Sequence, residues 1–302
     1  MVYTVTFNPA IDYVIRMDEL TPGSVNRSCS ENMFCGGKGI NVSVVLGELG
    51  VKSRALGFIA GFTGKAIESG VREKGVETDF IELAEGCSRI NVKIKSAEET
   101  DINGSGPSIP QSALEELYGK LDKLEDGDVL VLAGSIPNSL PSDVYEKILA
   151  RLSGKKIKAV VDATKDLLLN VMKYKPFLVK PNNHELGEMF GVKLESVEEI
   201  VTYARKLKEM GAVNVLVSMA GDGAVLLDEN GKTHQCGVCS GKVKNSVGAG
   251  DSMVAGFIAG SKDGDYEYAL KLGTATGGAT AFSDDLAKKD EIFELLKQLE
   301  HN

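Results

Sequence analysis

The stretch Asn245-Ser-Val-Gly-Ala-Gly-Asp-Ser252 sets a carboxylate, Asp251, directly behind a Gly-Ala-Gly turn, and a helical run, MVAGFIAG, follows it. An acidic residue in a first helical turn complements the helix macrodipole. The same placement can also do chemistry. Backbone N–H groups at a helix start bind an external anion, and a carboxylate beside them can take a proton. A second glycine cluster, Gly36-Gly37-Lys38-Gly39, leads into an amphipathic segment bearing Asn41. Bare glycines let a ligand approach the backbone. Lys38 adds a point charge, and Asn41 adds an amide able to hold a hydroxyl. A helix-start turn with an exposed lysine accounts for that cluster equally well. Phosphoryl transfer needs a base near the attacking hydroxyl and donors around the moving charge. Asp251 with the amides of Ala249, Gly250 and Asp251 itself offers both.

Other anion-binding patterns fail. Ile59-Ala-Gly-Phe-Thr-Gly-Lys-Ala66 lacks the first glycine of a P-loop and has Ala66 where a hydroxyl must reach the metal. Neither Ala220-Gly-Asp-Gly223 nor Gly248-Ala-Gly250 completes a dinucleotide fingerprint after the first strand. Cys236 and Cys239 form a C-x-x-C near His234, but no second half of zinc spacing accompanies them. Their β-like surroundings suit two small apolar side chains better than a redox pair.

These residues need a scaffold to hold them. Apolar runs VYTVTFN, SRALGFI, DVLVLAG, KAVVDA, FLVK and NVLVSM read as strands, with helical segments at 41–49, 64–74, 111–123, 141–152, 185–191 and 197–210 between them. Short apolar strands alternating with helices predict a mostly parallel sheet covered on both faces, an α/β fold. Ligands of such sheets sit beyond the carboxyl ends of the strands, where the glycine clusters fall. Segments 12–35 and 87–103 break the alternation with polar β stretches that could pair into a small lid sheet excluding water, or serve as a dimer interface. The main domain would then comprise 1–11, 36–86 and 104–302.

The bulk composition fits this picture. The chain of 302 residues has 43% hydrophobic and 25% charged residues, as expected of a globular domain. Its net charge of -9 argues against a nucleic-acid partner, though not against a small anion met by local cations. The absence of a long apolar run predicts no membrane span. The start, MVYTVTFNPAID, reads as a buried strand and not a signal peptide. Five cysteines, an odd number, suggest reduced thiols and a cytoplasmic location.

GGKGINVSVVLGELG and NSVGAGDSMVAGF resemble the two signatures of the ribokinase-like (PfkB) carbohydrate kinases, and the resemblance runs along essentially the whole chain. It implies a three-layer α/β/α domain with a small β lid that pairs two copies in a homodimer. It implies ATP and Mg2+ as cofactors, Asp251 as catalytic base, and an anion hole at Gly248, Ala249 and Gly250. Asn8-Pro-Ala-Ile-Asp12 resembles the early substrate motif, with Asp12 holding sugar hydroxyls; an Asn-Pro turn at a strand end is the plain alternative. Arg27 and Arg89 resemble cations that fix a substrate phosphate, against the reading of solvated charge, with Ser135 and Asn103 nearby. Gly36, Gly37, Lys38 and Asn41 complete the implied substrate site. Asn182-Asn-His-Glu185 resembles the family's N-x-x-E motif, in which Glu185 organises magnesium through water; Asn182 and Glu185 equally have the spacing of a helix capping box. Lys180, Asn182, Ser218, Met219, Ala220, Gly221, Asp222, Gly223 and Val247 are implied around ATP, although 218–223 also reads as a hairpin turn. The small-residue run LGTATGGATAF either lies against adenine or lets two helices approach.

Phe7-Asn-Pro-Ala-Ile-Asp12, Gly36-Gly-Lys-Gly-Ile-Asn41 and Asn245-Ser-Val-Gly-Ala-Gly-Asp251 resemble the hexose-phosphate branch, and Thr100-Asp-Ile-Asn-Gly-Ser-Gly-Pro107 resembles a lid segment within it. The resemblance implies phosphorylation of D-fructose 1-phosphate to the 1,6-bisphosphate. Tagatose 6-phosphate and fructose 6-phosphate are alternative substrates. A catalytically silent sugar-phosphate sensor is an alternative of another class. Ser139 and Ser105 depart from the branch pattern.

Overall fold

The computed structural model describes residues 1–163 and 165–300. The strands are β1 Val2–Thr6, β2 Ala10–Arg16, β3 Ser30–Gly36, β4 Ser53–Ala60, β5 Glu77–Thr78, β6 Ile81–Leu83, β7 Arg89–Lys95, β8 Thr100–Asn103, β9 Val129–Ala133, β10 Lys158–Asp162, β11 Leu178–Val179, β12 Asn214–Ser218, β13 Ala224–Leu227 and β14 Thr233–Cys236. The helices are α1 Lys38–Glu48, α2 Gly61–Glu73, α3 Gln111–Leu121, α4 Val144–Leu152, α5 Lys165–Val171, α6 Asn183–Phe190, α7 Val197–Glu209, α8 Ala249–Gly260, α9 Tyr266–Phe282 and α10 Lys289–Glu300.

The large sheet has the order β14-β13-β12-β11-β10-β9-β1-β4-β5, with β6 also on β4. It is parallel except at the β12-β13-β14 edge. Alternate side chains of each strand feed two cores. Val131, Val160 and Leu216 join α1, α8, α9 and α10 on one face, while Leu130, Val161 and Val217 join α3, α4 and α7 on the other. Burial on both faces is why these strands read as unbroken apolar runs. The expected three layers are present.

The polar stretches of segments 12–35 and 87–103 form a second sheet, ordered β3-β2-β7-β8. Its strands reach back to Ala10 and on to Gly36, and its centre is the parallel pair β2–β7. Helix α1 starts at Lys38, ahead of the expected 41, because its cap is glycine and not a polar side chain. Helix α5 went unread because seven residues carry too little periodicity. Cys236 and Cys239 are buried free thiols, and His234 pairs with Asp228. None of the described helices is long and apolar enough to cross a membrane.

Candidate active site

The carboxyl edge of the large sheet gathers charge from four elements. β10 ends on Asp162, which is 4% exposed. Lys38, from the first turn of α1, donates to Asp162 Oδ2 at 3.1 Å. Lys180, just past β11, places its Nζ 3.6 Å from Asp162 Oδ1. Helix α8 opposes them with Asp251, which is 5% exposed, and Asn41 Nδ2 donates to Asp251 Oδ2 at 2.9 Å.

The turn before α8 depends on Gly248, whose φ of 81° lies in the left-handed region that glycine adopts freely. The first intrahelical bond runs from the Ser252 amide to the Gly248 carbonyl at 2.8 Å. The amides of Gly250 and Asp251 therefore point out of the helix start. The Ala249 amide was expected to join them, but it donates to the Ser246 carbonyl at 3.2 Å within the turn. A Cβ on Gly250 would stand 3.2 Å from the Lys180 ammonium, so Lys180 lies against the anion turn.

Burial pushes the Asp251 carboxyl up to about 7; the charge of Asp162 adds to this, while Lys38, the Asn41 hydrogen bond and Lys180 oppose it. Burial raises Asp162 too, but the charges of Lys180 and Lys38 prevail and hold it below the ordinary carboxylate range. Burial lowers the Lys38 ammonium, and the charges of Asp162 and Asp251 outweigh that and leave it raised. Two carboxylates separated in this way suit two tasks: a permanent anion and a proton acceptor poised near neutrality.

Beside this cluster a cavity of about 410 Å³ opens between the two sheets. Asp12, Gly36, Asn41 and Val247 line it, together with Arg16, Asn32, Phe34, Lys93, Lys95, Lys244 and Leu286. Asp12 is held from the neighbouring strand by Asn91 Nδ2, at 2.8 Å. Gly37 caps α1, and Lys38 packs over Gly134, next to exposed Ser135.

The other residues expected at the site take up the following positions. Lys38, expected in the substrate site, is drawn to the base end by its ion pair with Asp162. Arg27 lies exposed on the loop between β2 and β3, away from the cavity wall, because that loop leaves the sheet at its far end. Arg89 is half-buried, and its Nε donates to the Asn8 carbonyl at 3.0 Å. Burial lowers the Arg89 pKa against the charge of Asp12. Asn41 gives one amide hydrogen to Asp251 and also lines the cavity. Asn103 is exposed at the end of β8, opposite Asn91.

Asn182 and Glu185 form the full capping box of α6, each bond 2.8 Å long. The charge of Glu185 also reaches Lys38, so Glu185 lies in the neighbourhood of the same cluster. Ser218 ends β12, and Met219, Ala220, Gly221, Asp222 and Gly223 turn the chain into antiparallel β13, so the hairpin reading holds. The sequence reading did not single out Asp162 or Asn91, which the structure brings against Lys38 and Asp12.

Among the described residues no cluster of three or more His, Cys, Asp or Glu could hold a metal ion. Asp162 already serves two lysines, and one oxygen of Glu185 is used by its cap. Such a donor set fits a magnesium ion that keeps its waters and rides on nucleotide phosphates, not a protein cage.

This edge-of-sheet site, with a glycine turn, a buried carboxylate and convergent lysines, is that of a phosphoryl-transfer enzyme. The chain belongs to the pfkB family of carbohydrate kinases, whose model matches residues 5–289. It is 49% identical over 300 residues to the 1-phosphofructokinase of Bacillus subtilis, covering 99% of this chain and 98% of that one. It is 37% identical over 302 residues to the D-tagatose-1-phosphate kinase of Bacillus licheniformis, covering 99% of both. Among solved structures, phosphofructokinase-2 from Escherichia coli in complex with substrates and products matches with a TM-score of 0.92, at 25% identity and 99% coverage of both chains.

Proposed function

We propose that this kinase transfers the γ-phosphoryl group of ATP to the 6-hydroxyl of D-fructose 1-phosphate, giving fructose 1,6-bisphosphate and ADP. The observation that carries the reading is Asp251, buried at the α8 start beside outward amides and clamped by Asn41. O6 attacks the γ-phosphorus in line as the bond to the β-phosphate oxygen breaks. The hydroxyl proton passes to the Asp251 carboxylate. The Gly250 and Asp251 amides, with Lys180 behind them, meet the charge on the equatorial oxygens. Lys38 stands at the same end to accompany the migrating group. Asp12, oriented by Asn91, holds sugar hydroxyls. Bound magnesium would neutralise the nucleotide phosphates, with Glu185 reaching it through water. The hairpin at 218–223 and Val247 would border the nucleotide. The second sheet, built from residues 12–35 and 87–103, would act as a lid and pair with that of a second copy.

A second reading has specific support: the Bacillus licheniformis relative is named for D-tagatose 1-phosphate, which differs from fructose 1-phosphate only at C4. That relative carries its phosphate on C1, so the tagatose alternative moves from the 6-phosphate to the 1-phosphate. A silent sensor would have no use for the raised, aimed carboxylate of Asp251.

The test is the rate of ADP release with ATP and magnesium across fructose 1-phosphate, tagatose 1-phosphate, tagatose 6-phosphate, fructose 6-phosphate and fructose. The highest kcat/KM is expected for fructose 1-phosphate. Asp251→Asn should retain ATP binding and lose turnover by roughly 10²-fold or more. Near-normal turnover in that variant would remove Asp251 from the role of base.

A further inference from the structure

The amino edge of the large sheet, opposite the catalytic edge, holds a second cavity of about 320 Å³. That volume falls in the range of small-molecule sites. The parallel register sets Val2, Val129 and Lys158 side by side across β1, β9 and β10. Side chains in register share a face, here the face that α8 covers, and Ile258 of α8 closes the cavity over them. Val51 and Phe177 complete an apolar floor, and both are buried. β10 joins this cavity to the catalytic edge, with Lys158 at one end and Asp162 at the other. Four steps along a strand separate them by about 13 Å, so the two sites are distinct.

The mouth of this cavity has one sign of charge. Lys52, Lys158 and Lys262 line it, and no Asp or Glu does, in a chain with 43 acidic residues against 34 Lys and Arg. Among the described residues none of the three lysines forms an ion pair; Lys158 only lies over the Phe177 ring, 4.8 Å from its centroid, which leaves its charge unneutralised. Met1 also lines the cavity, but its amino group is paired with Asp128 at 2.8 Å. The carbonyl end of α8 disfavours an anion, and Lys262, in the turn that follows, offsets it. The nearby cavity beside α4 makes the contrast. Its Lys155 is spent on backbone carbonyls and its Lys173 on Glu146.

Three unpaired ammonium groups around an apolar floor match an anion that carries an apolar body. Lysine binds phosphate as a point charge, and its long stem lies along apolar walls. A dianion recruits more than one of the three. We infer that this cavity is a binding site for a small phosphate monoester with an apolar or aromatic body: the body on Val2, Val51, Val129 and Ile258, and the phosphate among Lys52, Lys158 and Lys262.

The experiment titrates phenyl phosphate into the full-length protein by calorimetry, with inorganic phosphate and phenol as the two halves of the probe. Phenyl phosphate should bind about tenfold or more tighter than either half. Lys262 is exposed and without a side-chain partner, so Lys262→Glu should fold normally and weaken phenyl phosphate about tenfold or more. Lys52→Met and Lys158→Met should each weaken it by about threefold or more. Lys297→Glu, exposed on α10 and outside the cavity lining, changes the net charge equally and should leave affinity within about twofold of wild type. Absence of binding, equal affinity for inorganic phosphate, or a loss in Lys297→Glu as large as that in Lys262→Glu overturns the inference. Undiminished affinity in Lys262→Glu also overturns it, because the probe has then bound elsewhere. None of these readouts uses turnover, so this site and the kinase reading stand or fall separately.

Discussion

Asp251 must be an anion to accept a proton, and burial makes that the costly state. With its carboxyl raised to about 7, kcat/KM should fall as pH drops through neutrality, because the protonated form cannot act as base. The neighbours set the sign of each perturbation. Asn41→Ala removes a hydrogen bond that favours the anion, so the acid limb should move to higher pH, with roughly a tenfold or greater loss at pH 7. Asp162→Asn removes a like charge and should move the limb to lower pH. Ionisation of the substrate's own phosphate also contributes a limb, but it is the same for every variant, so opposite displacements measured in rate-against-pH profiles would implicate Asp251. Folding should carry the same signature. The native state keeps the Asp251 proton up to about 7, whereas the unfolded chain releases it near 3.8. Native stability therefore falls over that window and is level above it. Asp251→Asn lacks this fall, so thermal melts should show its advantage over the wild type growing from pH 4 to 7. An advantage that shrank would reverse the assignment.

Helix α8, which delivers Asp251, is fixed along its length against α9, and the contact is backbone to backbone. A Cβ on Gly256 would meet the Leu272 carbonyl at 2.7 Å and the Gly273 Cα at 2.8 Å. Gly256→Val should cost about 1–3 kcal/mol, read as a shifted denaturant midpoint. Gly47, inside α1 with nothing within 4 Å of its would-be Cβ, should instead gain about 0.4–1 kcal/mol as Ala. These packing facts support one of the two readings of LGTATGGATAF: its small residues let two helices close together. Local signals of this kind were readable in the sequence. Asn182 and Glu185 stood at capping-box spacing and form one, and apolar strand runs gave a sheet buried on both faces. Long-range juxtaposition was not readable. Nothing in KAVVDA marks Asp162 until topology sets β10 beside β9 and β11, with α1 overhead. Asn91 becomes the partner of Asp12 only through the parallel register of β2 and β7. Arg27 is the converse case: its residue type was legible, but the exposed position its loop gives it outside the cavity lining was not.

At the scale of the whole molecule, the second sheet has two unlike faces. The face toward the cavity carries Asp12, Lys93 and Lys95. On the opposite face the register lines up Met33, Tyr13, Val92 and Ile102 in one row across four strands, with Ile90 one step along. Met33 is 71% exposed and Ile102 57%, unusual for large apolar side chains in a row. A four-stranded sheet with one apolar face open has no core of its own on that side. A second copy of the same sheet, related by a two-fold axis, would cover it with matching chemistry. The -9 charge of each chain opposes association at long range but is screened beyond about 8 Å at physiological salt, so the apolar row decides the contact. The wild type should sediment as a dimer, and Met33→Asp with Ile102→Asp should give a monomer, because each introduces a charge that the closed contact would have to desolvate. Both side chains point away from the cavity, so any fall in activity of the variant should track the monomer fraction and recover as protein concentration rises. A wild type that is monomeric at micromolar concentration would show that the row is covered by something other than its own copy.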